Sequence, residues 1–421
     1  VPHSNGRVFI DTTEAWDVFF DSLKPKGILS VSRWYDFPGA DQPLESYRTA
    51  ALAAQALTDN GVENPRDHML IYRGLPQIYG ISVATLLVSP EPFTDADRAA
   101  LGGETERLNF TPVLTGDETI DPHFAAIAAP GGPDEALKAF PEDLSAPSDD
   151  RPFFFLMADE DTLFTRSLLK DNLVTRPVLV LGILAVTVLG LALCCIGLPL
   201  LVAHRRGRRQ LLDRQVVPFY TYFAGIGLGF LLIEIAQLQR LSIFLGHPTY
   251  GLSVVLFSVL LFSGVGSMLS ERIGRSKPPR ALLAPLIGLL GVVALFGLIT
   301  PRIIHATDGA TTPLRVAIAV GLMMPLGLVM GMPFSLGMRA AATRPGTPTA
   351  FLWGINGATS VCASVFGIVI ALFLGISAAF WAGGLAYVLA LASMAVIART
   401  APDPEVPDIH LDEPAVPIPV G

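Results

Sequence analysis

The chain has 421 residues, of which 51% are hydrophobic and only 16% are charged, and its net charge is −8. Residues 1–170 hold 27 acidic and 13 basic side chains, whereas residues 171–421 hold 10 acidic and 16 basic ones. The acidic first part argues against a nucleic-acid partner, because phosphate backbones are bound by basic surfaces.

The first 170 residues contain no apolar run long enough to cross a bilayer. In chain order we predict a helix over Thr13–Leu23, a strand over Ile28–Arg33, a helix over Leu44–Asn60, and strands near His68–Tyr72 and Ser82–Val88. This alternation is typical of an α/β sheet covered by helices. Three strands make only half of such a sheet, so we expect the chain to be the C-terminal part of a longer protein.

Seven apolar stretches follow, and each is long enough to cross a hydrocarbon core about 30 Å thick. They lie at 177–203, 219–236, 252–269, 281–300, 316–336, 352–376 and 378–398. We therefore predict a multi-pass membrane protein with a module of about seven helices over residues 171–400 and the lipid bilayer as its partner. Residues 401–421 are rich in proline and acids, which predicts a disordered tail.

Two soluble segments carry a resemblance to a known family. The segment 14–34, which includes LKPKGILSVSRW, resembles the second half of a class I methyltransferase-like fold. More narrowly, this segment and the segment 147–155, PSDDRPFFF, resemble the bacterial membrane-fused spermidine synthases, which are polyamine aminopropyltransferases. The resemblance implies a partial methyltransferase-like α/β domain over residues 1–170, an all-α transmembrane bundle, and a place in the bacterial cytoplasmic (inner) membrane.

The resemblance also implies an activity for the parent protein. This is aminopropyl transfer from decarboxylated S-adenosylmethionine to a polyamine, so a small polyamine or cation is an expected partner. That family needs a Gly-rich turn for the cofactor and an aspartate as general base. No such turn occurs before Pro38 and no such acidic loop before Glu14. We therefore assign no catalytic, cofactor-binding or metal-binding residue, and we expect this chain alone to bind no cofactor and to be inactive.

Other glycine pairs do not supply the missing turn. Gly102-Gly103 and Gly131-Gly132 follow loops rather than buried strands, so both pairs are interpreted as turns. A rival to the enzyme hypothesis is a transporter-like or scaffold membrane protein whose α/β domain is not catalytic. Neither the substrate nor the oligomeric state follows from these residues.

Asp149, Asp150 and Arg151 form a charged motif shortly before the first predicted span. Two adjacent carboxylates could hold a hard cation. Adjacent side chains diverge, however, and Arg151 can neutralise a neighbour. A structural role is therefore favoured, and the function of the motif stays open.

Basic residues are unequally divided between the two ends of the predicted spans. The connections after spans one, three, five and seven carry 12 lysines and arginines, and the alternate connections carry 4. The positive-inside rule then places the soluble part outside the cytoplasm. Since adenosyl cofactors and polyamines are made in the cytoplasm, the family resemblance favours the opposite side, and the orientation stays open.

Polar residues interrupt the second predicted span. Glu234, Gln237 and Arg240 follow one another at intervals of three, which places them on one helix face. One interpretation makes Glu234 a proton- or cation-binding carboxylate with Gln237 contacting a transported substrate. The other, slightly favoured, makes the strip a clamp between helices with Arg240 reaching the headgroups. Asn356 in the sixth span is a further intramembrane candidate.

Overall fold

The protein consists of a small α/β domain packed on one end of a bundle of long helices. The computed structural model describes residues 11–36, 42–76, 80–116, 118–158, 175–206, 213–274, 282–307, 309–344 and 346–400. The predicted disordered tail, residues 401–421, lies outside the described residues.

The elements of the α/β domain follow the predicted order to within one residue at each end as far as Val88. Its helices are α1 (Thr13–Ser22), α2 (Leu44–Asp59), α3 (Asp95–Arg107), α4 (Pro122–Ile127) and α5 (Asp134–Leu137). Its strands are β1 (Leu29–Trp34), β2 (Met69–Arg73), β3 (Val83–Val88), β4 (Thr111–Thr115) and β5 (Glu118–Thr119).

One of the two glycine pairs is not a turn. Gly102 and Gly103 lie inside α3, so the turn prediction was wrong for this pair. Each glycine costs a helix about 1 kcal/mol relative to alanine, and the capping box that begins at Thr94 offsets part of that cost. Gly131 and Gly132 do form a turn, with φ values of 92° and 91°.

The five described strands form one sheet in the order β1-β3-β2-β4-β5, and every neighbouring pair is antiparallel. Because β1 and β2 both run antiparallel to β3, they are parallel to each other, and α2 lies between them in the chain. Parallel strands need such a crossover connection. The sheet is thus small and antiparallel between neighbours, and the methyltransferase-like assignment remains a prediction.

The core of the α/β domain lies between α2 and one face of the sheet. Alanines on α2, Ala50, Ala51, Ala53 and Ala54, are completely buried, and their small side chains let the helix approach the strands closely. Trp16 of α1 is buried in the same core. This packing directs the opposite face of α1 away from the sheet.

The membrane module has seven helical segments that are long and apolar enough to cross a membrane, among the described residues. They are α6 (Thr175–Arg205), α7 (Val217–Leu245), α8 (Pro248–Gly274), α9 (Leu283–Ala306), the pair α10 (Thr312–Met330) and α11 (Met332–Ala342), α12 (Thr349–Leu374) and α13 (Ile376–Arg399). The sequence prediction of seven spans agrees with this count.

Helix α7, the span that Glu234 interrupts, is the most buried of the seven. It packs tightly against α13 because glycines line the contact. A Cβ added at Gly225 would lie 2.8 Å from the carbonyl oxygen of Ala386, and one at Gly229 would lie 2.8 Å from the ring of Tyr387. Small residues allow membrane helices to approach in this way.

The α/β domain lies at the end of the bundle opposite to the helix ends that precede the arginine-rich connections. The start of α6 packs through Val178 against Phe373 at the end of α12 and Ala158 of the α/β domain. At the same end Arg315, near the start of α10, donates to the carbonyl of Phe244 near the end of α7, at 3.1 Å. The described ends of spans one, three, five and seven, which carry Arg205, Arg272, Arg339 and Arg399, are therefore distal to the domain.

Candidate functional site

Residues 145–156 contact both the α/β domain and the bundle, and we call them the joining segment. This segment is held by a buried arginine. Arg48 of α2 is 4% exposed and donates to the carbonyls of Ser145 (3.0 Å), Phe154 (2.7 Å) and Leu156 (2.5 Å). Burial lowers the pKa of Arg48 to about 10, and the nearby charge of Asp143 opposes that shift. Arg48 thus fixes both ends of the segment that carries the charged motif.

Asp150 connects this segment to the membrane helices. Its Oδ1 accepts from the backbone N–H of Ser377 at 2.9 Å and from the Ser377 hydroxyl at 2.7 Å, and its carbonyl accepts from the N–H of Ile376 at 2.9 Å. Arg240 of α7 donates to the Ser377 hydroxyl at 2.8 Å and lies 3.9 Å from Oδ1. A carboxylate here satisfies free N–H groups at the start of α13 and complements the helix dipole.

The three residues of the charged motif point in different directions. Asp149 accepts from the hydroxyl of Thr12 at 2.8 Å, and its N–H donates to the carboxylate of Glu14 at 2.9 Å. Arg151 pairs with Asp143 at 3.1 Å. The motif therefore links α1, the joining segment and the bundle, rather than closing on a single ligand.

A cavity of about 460 Å³ lies between α1, the joining segment and helices α7, α9 and α13. Its charged and titratable lining, among the described residues, consists of Glu14, Asp17, Asp21, Asp149, Asp150, Arg240 and His305. The acidic residues of α1 occupy positions i, i+3 and i+7, so they share the helix face that points away from the core. We call this space the acidic cavity.

The electrostatics of the acidic cavity favour cations. Five carboxylates face one guanidinium in the described lining. Burial raises the pKa of Glu14, and the adjacent charge of Asp149 raises it further. Asp17 accepts from the amide of Asn60 at 2.8 Å. Negative charge concentrated next to low-dielectric walls increases the local concentration of counter-ions.

The carboxylates of the acidic cavity do not converge on one point. No group of three or more His, Cys, Asp or Glu side chains in the described part of the chain could hold a metal ion. The charges are instead distributed over α1 and the joining segment. Such a distribution matches several separated positive charges better than a single ion.

The structure divides the polar strip of α7. Arg240 belongs to the acidic cavity, whereas Glu234 and Gln237 lie deeper in the bundle and are 9% and 0% exposed. Within the described residues, neither amide atom of Gln237 has a hydrogen-bond partner. Asn356 of α12 does form a helix–helix contact, since its amide donates to the carbonyl of Phe223 at 3.1 Å.

Sequence reasoning did not select the acidic face of α1, Ser377 or Arg48. The spacing of Glu14, Asp17 and Asp21 was visible, but an acidic helix face by itself indicates only contact with solvent. Ser377 and Arg48 carry no local signal, because their partners lie about a hundred residues or more away in the chain.

No protein-family model, no curated protein and no solved structure matches this chain.

Proposed function

We propose that this chain is an integral membrane protein that binds a small organic polycation, of the polyamine class, in the acidic cavity. The observation that most directly supports this proposal is that five carboxylates and one guanidinium line a cavity of about 460 Å³. That volume falls within the roughly 300–1,000 Å³ of small-molecule sites. The separation of the carboxylates favours a linear amine with several ammonium groups over a single metal ion.

The geometry of α1 supports this ligand class. Glu14, Asp17 and Asp21 lie along about two turns of helix, a length of about 10 Å at 1.5 Å per residue. Asp149 and Asp150 extend the row toward Ser377. An extended chain of ammonium groups can pair with such a row, and each pair adds a small favourable term.

The test is calorimetric titration of the detergent-solubilised full chain with spermidine. An exposed ion pair between a carboxylate and an ammonium group contributes about 0.5–1 kcal/mol. Asp17→Asn and Asp21→Asn should therefore each weaken binding about two- to fivefold. Glu106→Gln, an exposed acid on α3 outside the cavity, is the matched control and should leave affinity unchanged. Equal affinity in all variants, or no binding by the parent, would refute the proposal.

Aminopropyl transfer is a second proposal, carried by the resemblance. Strands β1 and β2 run parallel on either side of β3, and α2 lies between them in the chain, which supports an α/β ancestry. In this proposal the acidic cavity would hold the amine acceptor. Decarboxylated S-adenosylmethionine would bind to residues that do not line the acidic cavity. We expect no saturable binding of that nucleoside to this chain, so micromolar binding in the same calorimetric titration would favour the transfer reaction over simple amine binding.

We further propose a bacterial cytoplasmic membrane with the α/β domain on its outer side. The support is the 12 to 4 division of basic residues between the two ends of the spans. In this orientation the acidic cavity faces amines that reach the membrane from outside.

A further inference from the structure

Buried polar groups follow one another along α7 from the acidic cavity into the bundle, each turned by about 60° around the helix axis relative to the one before. Arg240 lines the cavity, Gln237 follows one turn deeper on α7, and Glu234 follows one turn beyond. Glu234 lies close enough to Tyr387 of α13 for the two to interact electrostatically. Tyr387 is 1% exposed, and its hydroxyl has no hydrogen-bond partner among the described residues.

Tyr387 lines a second cavity, inside the membrane-spanning part. This space of about 400 Å³ lies between α7, α8, α11 and α12, with Tyr387 in its wall. Its other polar lining is supplied by Ser263, Ser267, Ser335, Asn356 and Ser360. We call it the serine cavity. Its hydroxyl and amide groups can both donate and accept hydrogen bonds.

Gln237, Arg240 and Tyr387 carry buried polar atoms for which the surrounding protein supplies no partner, among the described residues. A polar group buried in hydrocarbon without a hydrogen bond costs several kcal/mol. The protein partners are missing for both amide atoms of Gln237, for Nη1 of Arg240 and for the Tyr387 hydroxyl, within the described residues. Since Tyr387 also lines a cavity, water or a small ligand can reach it and offset the cost.

The close packing of α7 against α13 leaves no room between these two helices for an organic amine. A Cβ added at Gly229 of α7 would lie 2.8 Å from the Tyr387 ring and 3.0 Å from the carbonyl oxygen of Gly383, both on α13. A proton, which moves along hydrogen-bonded water and side chains, does not need a wide passage. A carboxyl group at mid-depth can carry that proton, because its neutral form avoids the cost of a charge in hydrocarbon.

We propose that Glu234 is the proton-binding group of a proton path that joins the acidic cavity to the serine cavity. The proton enters from the acidic cavity, binds the Glu234 carboxylate, and leaves by way of Tyr387 and the serine cavity. No bond other than the O–H bond forms or breaks.

Few other charged or titratable groups face Glu234. Helix α13 contributes Tyr387, which also interacts electrostatically with Tyr222 of α7. Helix α12 contributes Cys362 as its titratable residue, and the charged residues Glu271 and Arg272 of α8 and Arg399 of α13 lie at the distal ends of their helices. The basic residues of α10 and α11 are held at the two ends of the bundle, where Arg315 donates to Phe244 and Arg339 to Ser270. Glu234 therefore has no cationic partner on the helices packed against α7, among the described residues.

The test uses proton flux into proteoliposomes that contain the full chain and a pH-sensitive dye, with a potassium gradient and valinomycin as the driving force. The parent should conduct protons at least severalfold faster than protein-free vesicles. Glu234→Gln, which keeps the side-chain shape, should reduce the flux to the protein-free level. Tyr387→Phe should reduce it severalfold.

Glu271→Gln is the matched control, because Glu271 is exposed near the distal end of α8. It should conduct like the parent. A parent without flux, or a folded Glu234→Gln protein with the parental flux, would overturn the proposal. Spermidine binding, measured separately, should be unchanged in Glu234→Gln, so failure of the proton path and failure of the amine site give different results.

Discussion

The carboxylate of Asp150 accepts hydrogen bonds from both the backbone N–H and the hydroxyl of Ser377, 227 residues further along the chain. Through this contact a residue of the α/β domain caps the first turn of the last membrane helix. Arg240 joins the same hydroxyl from α7. The domain and two membrane helices thus meet at one polar junction, which forms a wall of the acidic cavity.

Removal of the Asp150 side chain should destabilise this junction. Asp150→Ala deletes a capping carboxylate, and loss of such a cap costs about 1–2 kcal/mol. The measurement is thermal unfolding in detergent, where the transition should move to lower temperature. Asp150→Asn retains hydrogen-bonding capacity and should lose less. An Ala variant as stable as Glu106→Ala, an exposed control, would contradict the assigned role.

Arg48 should be needed to position the joining segment. Arg48→Met keeps much of the buried volume but leaves the carbonyls of Ser145, Phe154 and Leu156 without their donor, at a cost of about 3 kcal/mol or more. We expect faster proteolysis within residues 145–156 and weaker spermidine binding, since the cavity carboxylates lose their support. The exposed Arg107→Met is the control. Parental proteolysis and affinity in Arg48→Met would show that the segment is held by other contacts.

Amine binding should weaken as the pH falls toward 5. The pKa of Glu14 is raised from its ordinary value by burial and by Asp149, so this carboxylate becomes protonated at a higher pH than a free glutamate and then no longer attracts a cation. The measurement is spermidine affinity between pH 8 and pH 5. Glu14→Gln should bind more weakly at pH 8 and show a smaller pH dependence. An unchanged pH profile in this variant would exclude Glu14 as the titrating group.

The same shift affects folding stability with the opposite sign. A carboxyl group whose folded pKa lies above its unfolded value destabilises the folded state when it is charged. The contribution of Glu14 to stability is therefore largest below its unfolded pKa and is lost as the pH rises through the raised folded pKa. The stability of Glu14→Gln relative to the parent, measured by thermal unfolding, should therefore be higher at pH 8 than at pH 4.

The two ends of the bundle should differ in their access to an impermeant thiol reagent. In a variant without Cys194, Cys195 and Cys362, a cysteine at Glu106 on α3 should react in intact cells. One at Arg206, which follows α6 at the distal end, should react only after the membrane is permeabilised. Labelling of position 206 without labelling of position 106 would place the α/β domain in the cytoplasm.

Local sequence patterns predicted the membrane helices and the α/β elements as far as Val88, but not the later elements of the domain or the cavities. The length of an apolar run determines whether a helix can cross the bilayer, so the seven spans could be predicted one at a time. The strands through Val88 likewise follow from short apolar runs between turn residues. Strands β4 and β5 were missed because they are short and lie beside an exposed helix.

The division of the polar strip on α7 depended on the packing of other helices. Glu234 and Arg240 are six residues apart, which turns the helix by about 600° and leaves them about 120° apart around its axis. They therefore face different neighbours, and only the positions of α9 and α13 decide that Arg240 lines the acidic cavity while Glu234 interacts electrostatically with Tyr387.

The sequence by itself determined that seven helices are long and apolar enough to cross a membrane and that an acidic α/β domain precedes them, because hydrophobic length, periodicity and charge act over neighbouring residues. Only the tertiary structure decided that the acidic face of α1 closes a cavity instead of facing open solvent. That outcome depends on Arg48 and Asp150 bridging about a hundred residues or more, and contacts at such separation leave no pattern in the sequence around either partner.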